Sequence, residues 1–421
     1  MNDNFLAKII LGLLSIFLLV DSLNGFLVMS FGLDIKLSVI YKSIVLMLVA
    51  LYLVRFNIGS IILALAFYFL LMLGESGSIF SLTASASKLG FLVQHITKVI
   101  TPFLVFCFLL DRSWRDSQFY TKIQQVIKVN CIVFLGNMLV GFLGFGFSTY
   151  GGVVSATSIG VKGFFYAGNE ISTLLVLFSG FYLSKTYLLS KLTFVFLSVF
   201  WVGIGLLIST KTAMLAVVIL AFAIPVVFEG KRLFTLRSTP SILYVSLLLL
   251  ILVQAVLLID AFKDTLIFDR LEFFFQTTGI WGVLLSGRDI FFFGMWGLYE
   301  ETESVFSLLF GNGISYYADY IKYSVEMDLP DMFFWHGIIG VLITLFIFAT
   351  LTRLAFTNAF HKSYPYGTVI LLTNVLLLLI SNLSGHVFTS GMLGFLWPCV
   401  AIMAKYSASA STYVKTSELR R

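Results

Sequence analysis

Charge is the scarcest commodity in this chain: Asp, Glu, Lys and Arg make up 11% of its 421 residues, against 59% hydrophobic. A water-soluble fold needs far more polar surface than that to cover its core, so a soluble globular domain is excluded. Proline is rare as well, with six in the whole chain, which leaves long helices uninterrupted. The three cysteines, Cys107, Cys131 and Cys399, all fall in apolar segments. They form neither a disulfide framework nor a metal-binding spacing. The four histidines are scattered, none of them four residues from another, so the paired-histidine helix of zinc enzymes is absent. No phosphate-binding GxxxxGK[ST] loop and no Gly-x-Ser-x-Gly elbow occurs, which argues against an ATP motor and an α/β-hydrolase. No metal and no cofactor is expected.

What the chain has instead is long apolar runs. They lie at roughly 5–22, 36–54, 58–74, 90–110, 124–146, 169–186, 189–208, 211–228, 241–262, 332–354, 366–383 and 387–405. Each is near the ~20 residues that cross a hydrocarbon core about 30 Å thick. The expected fold is therefore all-α, a polytopic membrane protein of about 12 spans, with residues 1–421 as one membrane domain. The runs are continuous rather than alternating, which argues against a β-barrel. The first begins at Phe5 with almost no basic region and no small-residue cleavage site, and reads as a retained span. Lys and Arg collect in alternate connecting segments, around 112–122, 185–191, 231–237, 353–362 and 405–421. The positive-inside rule puts those segments and both termini in the cytoplasm. The net charge of +6 then reflects topology and not a nucleic-acid surface.

Acidic residues are distributed the opposite way. Residues 263–331 hold 11 of the 21, in a long, aromatic-rich stretch that the topology places outside the membrane. A loop of that length with its own apolar content packs or binds something. Within it, Ser286-Gly287-Arg288-Asp289 has the pattern of a helix start with Ser286 as N-cap. The helix is expected to run over 287–310 and to end at Gly311-Asn312-Gly313. An arginine at a helix start, beside free backbone N–H groups, suits a phosphate or pyrophosphate; Arg288 could equally pair with a loop carboxylate.

Other polar residues stand near the same face. Lys211, in Ser209-Thr210-Lys211-Thr212, either snorkels at a hairpin or supplies a second cation. His95 and Lys98 share a helix with Gln94, at a depth where ionisable groups usually face a bundle interior or a wet cavity. Glu326, Asp328 and Asp331 cluster before a span that carries His336 near its start. They could activate or hold a sugar hydroxyl, or remain solvated loop charges. Asn169 and Glu170 either cap a span or line the same cavity, and Arg270 and Tyr316 are further candidates.

The order STKTAML, SGRDIFFFGMW, LFGNGIS and an acidic segment running into WHGIIG, with GFFYAGNEIS upstream, resembles the O-antigen polymerase and ligase superfamily. The likeness extends over about 160–390 and is best over 209–340. It implies a metal-independent, inverting glycosyltransferase with a GT-C-like bundle in a bacterial inner membrane, its site facing the periplasm or cell exterior. The substrates implied are undecaprenyl-pyrophosphate-linked glycans, as donor and acceptor, with a flippase and a chain-length regulator as possible partners. With Gly337 and Gly340 setting the register, Glu326 stands where ligases of the superfamily carry histidine. That departure favours a Wzy-type polymerase over a ligase; a lipid-linked oligosaccharide flippase or other transporter is the alternative from another class. Under the polymerase reading, Arg288, Glu326, Asp328, Asp331 and His336 carry the chemistry. Lys211, Arg270, Lys98, His95, Asn169, Glu170 and Tyr316 bind substrate.

Overall fold

The computed structural model describes residues 3–76, 86–150, 152–154, 159–166, 168–230, 285–318 and 323–407, with a few isolated positions between 272 and 282. The expected span at 241–262 and the candidate Arg270 lie outside the described residues.

The first apolar run forms two helices, α1 (Asp3–Ser15) and α2 (Phe17–Phe31), bent by 48°. The bend opens backbone groups that water cannot reach, and a side chain from another helix satisfies them. Asn130, fully buried, donates to the Leu14 carbonyl at 2.8 Å and accepts the Leu18 N–H at 2.9 Å. A break inside a membrane is tolerated only with such a partner.

Helices then follow at most of the expected positions: α3 (Leu37–Phe56), α4 (Ile58–Met72), α5 (Ala86–Arg115), α6 (Phe119–Phe142), α7 (Gly168–Leu189), α8 (Lys191–Ile208) and α9 (Lys211–Glu229). Their short connections are capped by the residues that stop apolar runs. Asn57, Ser190 and Thr210 accept the N–H groups of Ser60, Thr193 and Ala213. Later come α10 (Arg288–Glu300), α11 (Val305–Phe310), α12 (Ile314–Tyr317), α13 (Asp328–Asn358), α14 (Gly367–Leu383) and α15 (Leu393–Ala401). Among the described residues, eight helices are long and apolar enough to cross a membrane, or nine if α1 and α2 make one span. The central pair is α5 and α7, each 78% buried along its apolar window. Outer helices such as α4 and α8 expose Leu65, Phe69 and Phe196, as a lipid-facing surface does.

The structure departs from expectation in four places. A small antiparallel hairpin, β1 (Phe147–Tyr150) and β2 (Ile159–Gly163), stands in the Gly- and Ser-rich segment of an otherwise helical chain. Asn137 on α6 anchors it, donating to the Lys162 carbonyl and accepting the Phe164 N–H.

The helix expected over 287–310 is two helices. Ser304 and Ser307 form a reciprocal capping box that starts α11 afresh, and residues 301–304 turn between them. Ser286 is not the N-cap of α10; Gly287 is, in a left-handed conformation (φ 81°).

The helix α13 is broken at Gly337 (φ 64°, ψ −162°), a backbone region open to glycine alone. A Cβ there would collide with the backbone of Leu309 and Phe310. The break lets α11 pack against α13.

The last run is not helical from 387. Residues 384–392 form a loop, and α15 begins only at Leu393.

Candidate functional site

The loop 384–392 is the spine of the site, because two carboxylates and one guanidinium are anchored on its backbone. Asp328, at the start of α13, accepts the N–H of His386 (2.9 Å), Val387 (2.8 Å) and Phe388 (3.0 Å), with the Thr389 hydroxyl at 3.3 Å. These are donors that a helix would have consumed internally, so the carboxylate replaces a helical turn. At the far end Glu170, in the first turn of α7, accepts the Ser390 hydroxyl (2.7 Å) and the Met392 N–H (3.0 Å). At the near end Arg288 Nη2 reaches the Ser384 carbonyl at 3.4 Å.

Arg288 is the first residue of α10, and its guanidinium is nearly buried. Nη2 lies 3.1 Å from Glu326 Oε2, Nε donates to the Glu326 carbonyl at 3.0 Å, and Nη1 donates to the Leu285 carbonyl at 3.2 Å. Burial pulls the guanidinium below its ordinary basicity, and the Glu326 carboxylate works against that shift. An arginine so placed stays charged throughout the physiological range. The N-cap of α10 is a glycine, so the cap residue itself offers no side-chain acceptor to the first turn. Lys211 reaches the same turn from the start of α9: its Nζ donates to Ser286 Oγ at 3.2 Å. The two cations singled out for a phosphate group therefore converge within two residues of each other on one turn.

Glu326 sits in a left-handed conformation (φ 62°), which costs a non-glycine residue free energy and needs external support. Asp331 supplies it. Its carboxylate accepts the Val325 N–H at 2.6 Å and the Ser324 hydroxyl at 2.7 Å, and Ser324 Oγ in turn accepts the Glu326 N–H at 2.9 Å. Asp328 and Asp331 are buried and committed to backbone. Glu326 is the most accessible of the three acids, with 29% of its side chain exposed.

The histidines lie deeper. His336 is 1% exposed, its Nδ1 is 2.8 Å from the Leu71 carbonyl, and its ring stacks on that of His95 with centroids 5.8 Å apart. His95 also meets the edge of Trp335. Both histidines keep an Nε2 with no hydrogen-bond partner among the described residues.

Lys98 stands at the Glu170 end. A Cβ on Gly391 would lie 3.6 Å from Lys98 Cε and 3.3 Å from Lys42 Nζ. Lys42 is paired at 2.9 Å with the buried Asp21. Asn169 precedes Glu170 at the start of α7 and is half-buried. Tyr316 is not part of this cluster; its hydroxyl donates to the Leu298 carbonyl on α10.

The structure thus joins Arg288, Glu326, Lys211, Asp328, Asp331, Glu170 and Lys98 around one loop and sets His95 and His336 behind it. Sequence reasoning missed the loop itself, along with Ser324, Asp21 and Lys42. The signal for the loop was present: SGHVFTSG over 384–391 is too polar and glycine-rich for the outer half of a span. Asp21 and Lys42 are ionisable residues inside apolar runs, which is itself a warning of function or of pairing.

No family model matches the chain, and no curated protein matches it.

Proposed function

We propose that the chain is a polysaccharide polymerase of the Wzy type, joining undecaprenyl-pyrophosphate-linked repeat units at the outer leaflet of a bacterial inner membrane. The observation that carries this reading is the convergence of Arg288 and Lys211 on one turn, with Glu326 hydrogen-bonded to Arg288. Such a set suits a reaction that releases a pyrophosphate while a hydroxyl loses a proton. An acceptor hydroxyl attacks the anomeric carbon of the donor glycan. The carbon–oxygen bond to pyrophosphate breaks with inversion, and undecaprenyl pyrophosphate leaves. Arg288 and Lys211 offset the charge that develops on the leaving group. Glu326 takes the proton of the attacking hydroxyl. At rest Arg288 and Glu326 neutralise each other; an incoming pyrophosphate competes for the guanidinium and frees the carboxylate for the acceptor. Asp331 and Asp328 act through the backbone, fixing Glu326 and the 384–392 loop. The sugar–pyrophosphate bond already stores the energy, so no ATP is consumed.

The test is incubation of the purified chain with a synthetic undecaprenyl-pyrophosphate repeat unit. A ladder of longer products is expected, and Arg288→Ala should abolish it while leaving a monodisperse protein. A normal ladder from that variant would overturn the assignment. In cells, loss of a polymerase leaves a single repeat unit on the final acceptor, whereas loss of a ligase leaves none.

A second reading, a secondary transporter of lipid-linked sugars, is favoured by one observation: Asp21, Lys42, Lys98 and Glu170 place charges inside the apolar bundle. Ionisable groups within apolar spans mark translocation paths in transporters. Movement of a labelled lipid-linked unit across vesicles without chain extension would support it.

A further inference from the structure

At the opposite end of the bundle from Arg288, the start of α1, the end of α5 and the start of α6 enclose a cavity of about 260 Å³. Its walls carry Lys8, Arg112, Arg115 and Lys122 against a single carboxylate, Asp116, with Asn4 beside them. Asp116 does not neutralise the group. One of its oxygens takes Lys122 at 2.7 Å, and Arg112 stands at the edge of bonding distance, 3.5 Å. Arg115 is held at 2.8 Å by Asp111, which is not among the residues lining the cavity.

Arg112 is the decisive residue. It is 4% exposed, and its Nη2 reaches Asn4 Oδ1 at 3.2 Å. Its Nε, though buried, has no hydrogen-bond partner among the described residues. A buried arginine N–H left without an acceptor is costly, and the same side chain lines the cavity. The surroundings mark the level of the membrane surface. Trp114 is 76% exposed beside Lys405, whose ammonium lies 3.1 Å from the ring centroid. Arg55 and Arg115 both flank the Phe56 ring. Aromatic rings and cations so arranged belong at the headgroup region.

We propose that this cavity binds a phosphate group presented at the headgroup level, with Arg112 as its fork and Lys8 and Lys122 as the accompanying cations. The favoured source is the phosphodiester of an anionic phospholipid, since basic pockets between spans capture such headgroups. A free phosphate offers the same chemistry. This site is separate from the Arg288 cluster and does not depend on what that cluster does.

The experiment uses the purified full chain in neutral detergent, offered equal amounts of phosphatidylglycerol and phosphatidylcholine with the same acyl chains. Retained lipid is counted by native mass spectrometry. The chain should retain phosphatidylglycerol selectively. Lys8→Gln combined with Lys122→Gln should weaken that retention by about fivefold for each cation lost. Arg112→Gln should abolish it. Lys362→Gln, an exposed charge at the same end, should leave it unchanged. Because Arg112→Gln could fail to fold, the lysine pair serves as the independent arm. In a parallel arm, inorganic phosphate is compared with chloride at matched ionic strength by thermal unfolding. Stabilisation by phosphate that the lysine pair removes, without lipid selectivity, would keep the phosphate site and assign it a soluble ligand. Equal retention of both lipids with no phosphate effect would overturn the proposal. So would a loss in Lys362→Gln equal to that in the lysine pair, since it would show diffuse surface charge and not a site.

Discussion

Asp328 binds the backbone N–H of His386 across 58 residues of sequence, at 2.9 Å, and its second oxygen takes the next two N–H groups. Asp328→Asn turns one of these acceptors into a donor facing N–H groups. Stability should fall by about 2–3 kcal/mol, read as a lower unfolding midpoint of the purified protein. An unchanged midpoint would show that the loop holds itself.

Glu326→Gln should behave differently. The turn that holds residue 326 is built by Asp331 and Ser324, so the variant should fold with a midpoint near that of the parent. Under the proposed polymerase reading, the rate of chain extension should fall by roughly 10²–10⁴-fold, the usual range for a positioned base. Full activity would remove Glu326 from the reaction and leave it as a partner for Arg288.

Arg288→Lys keeps a charge but loses the planar fork that reaches Glu326, Leu285 and Ser384. Turnover should drop by on the order of 10²-fold or more. Ser286→Ala, which frees Lys211 Nζ from its hydroxyl partner, should have a far smaller effect on turnover.

Asn130→Leu would strip the bend between α1 and α2 of its donor and acceptor. The cost should be about 2 kcal/mol or more. Gly337→Ala should cost about 3 kcal/mol through backbone strain and collision with α11. Thermal unfolding of each variant in detergent measures both.

Asp116 provides a pH test. Burial raises its pKa, but the Lys122 hydrogen bond, the Gln118 N–H and the charges of Lys122 and Arg112 outweigh burial and hold it below the ordinary carboxylate value. A carboxylate lowered in the folded state adds stability above its unfolded pKa of about 3.9. That stability is lost as pH falls through the lower folded value. Asp116→Asn should therefore narrow its stability gap from the parent protein as the pH is taken from neutral to strongly acidic.

Spans were legible because apolar length is a local property: α3, α8, α9 and α14 fall within about two residues of the runs that announce them. Arg288 and Lys211 also stood out, as cations beside helix starts. The break at Gly337, the left-handed turn at Glu326 and the loop 384–392 were not legible. The break and the loop exist because of partners far away in sequence, Leu309 with Phe310 and Asp328 with Glu170, while the Glu326 turn depends on side-chain bonds from nearby Asp331 and Ser324 that no periodicity announces. For the same reason Asp328 looked like a free acid in the sequence and is a backbone anchor in the fold. Ser286 resembled an N-cap, but Gly287 took that role and left the hydroxyl to Lys211.

The bond between Glu170 and Ser390 also bears on how the protein is made. Its two ends are 220 residues apart, and a ribosome adding about 5–20 residues per second needs on the order of ten to forty seconds to supply the second. Over that interval α7 is in the membrane with its acid lacking the loop that later encloses it. Glu75 waits longer still for the Ser315 N–H, 240 residues downstream. Glu170, which holds one end of the 384–392 loop in the finished site, is thus during synthesis an acid that needs water in place of its later partners.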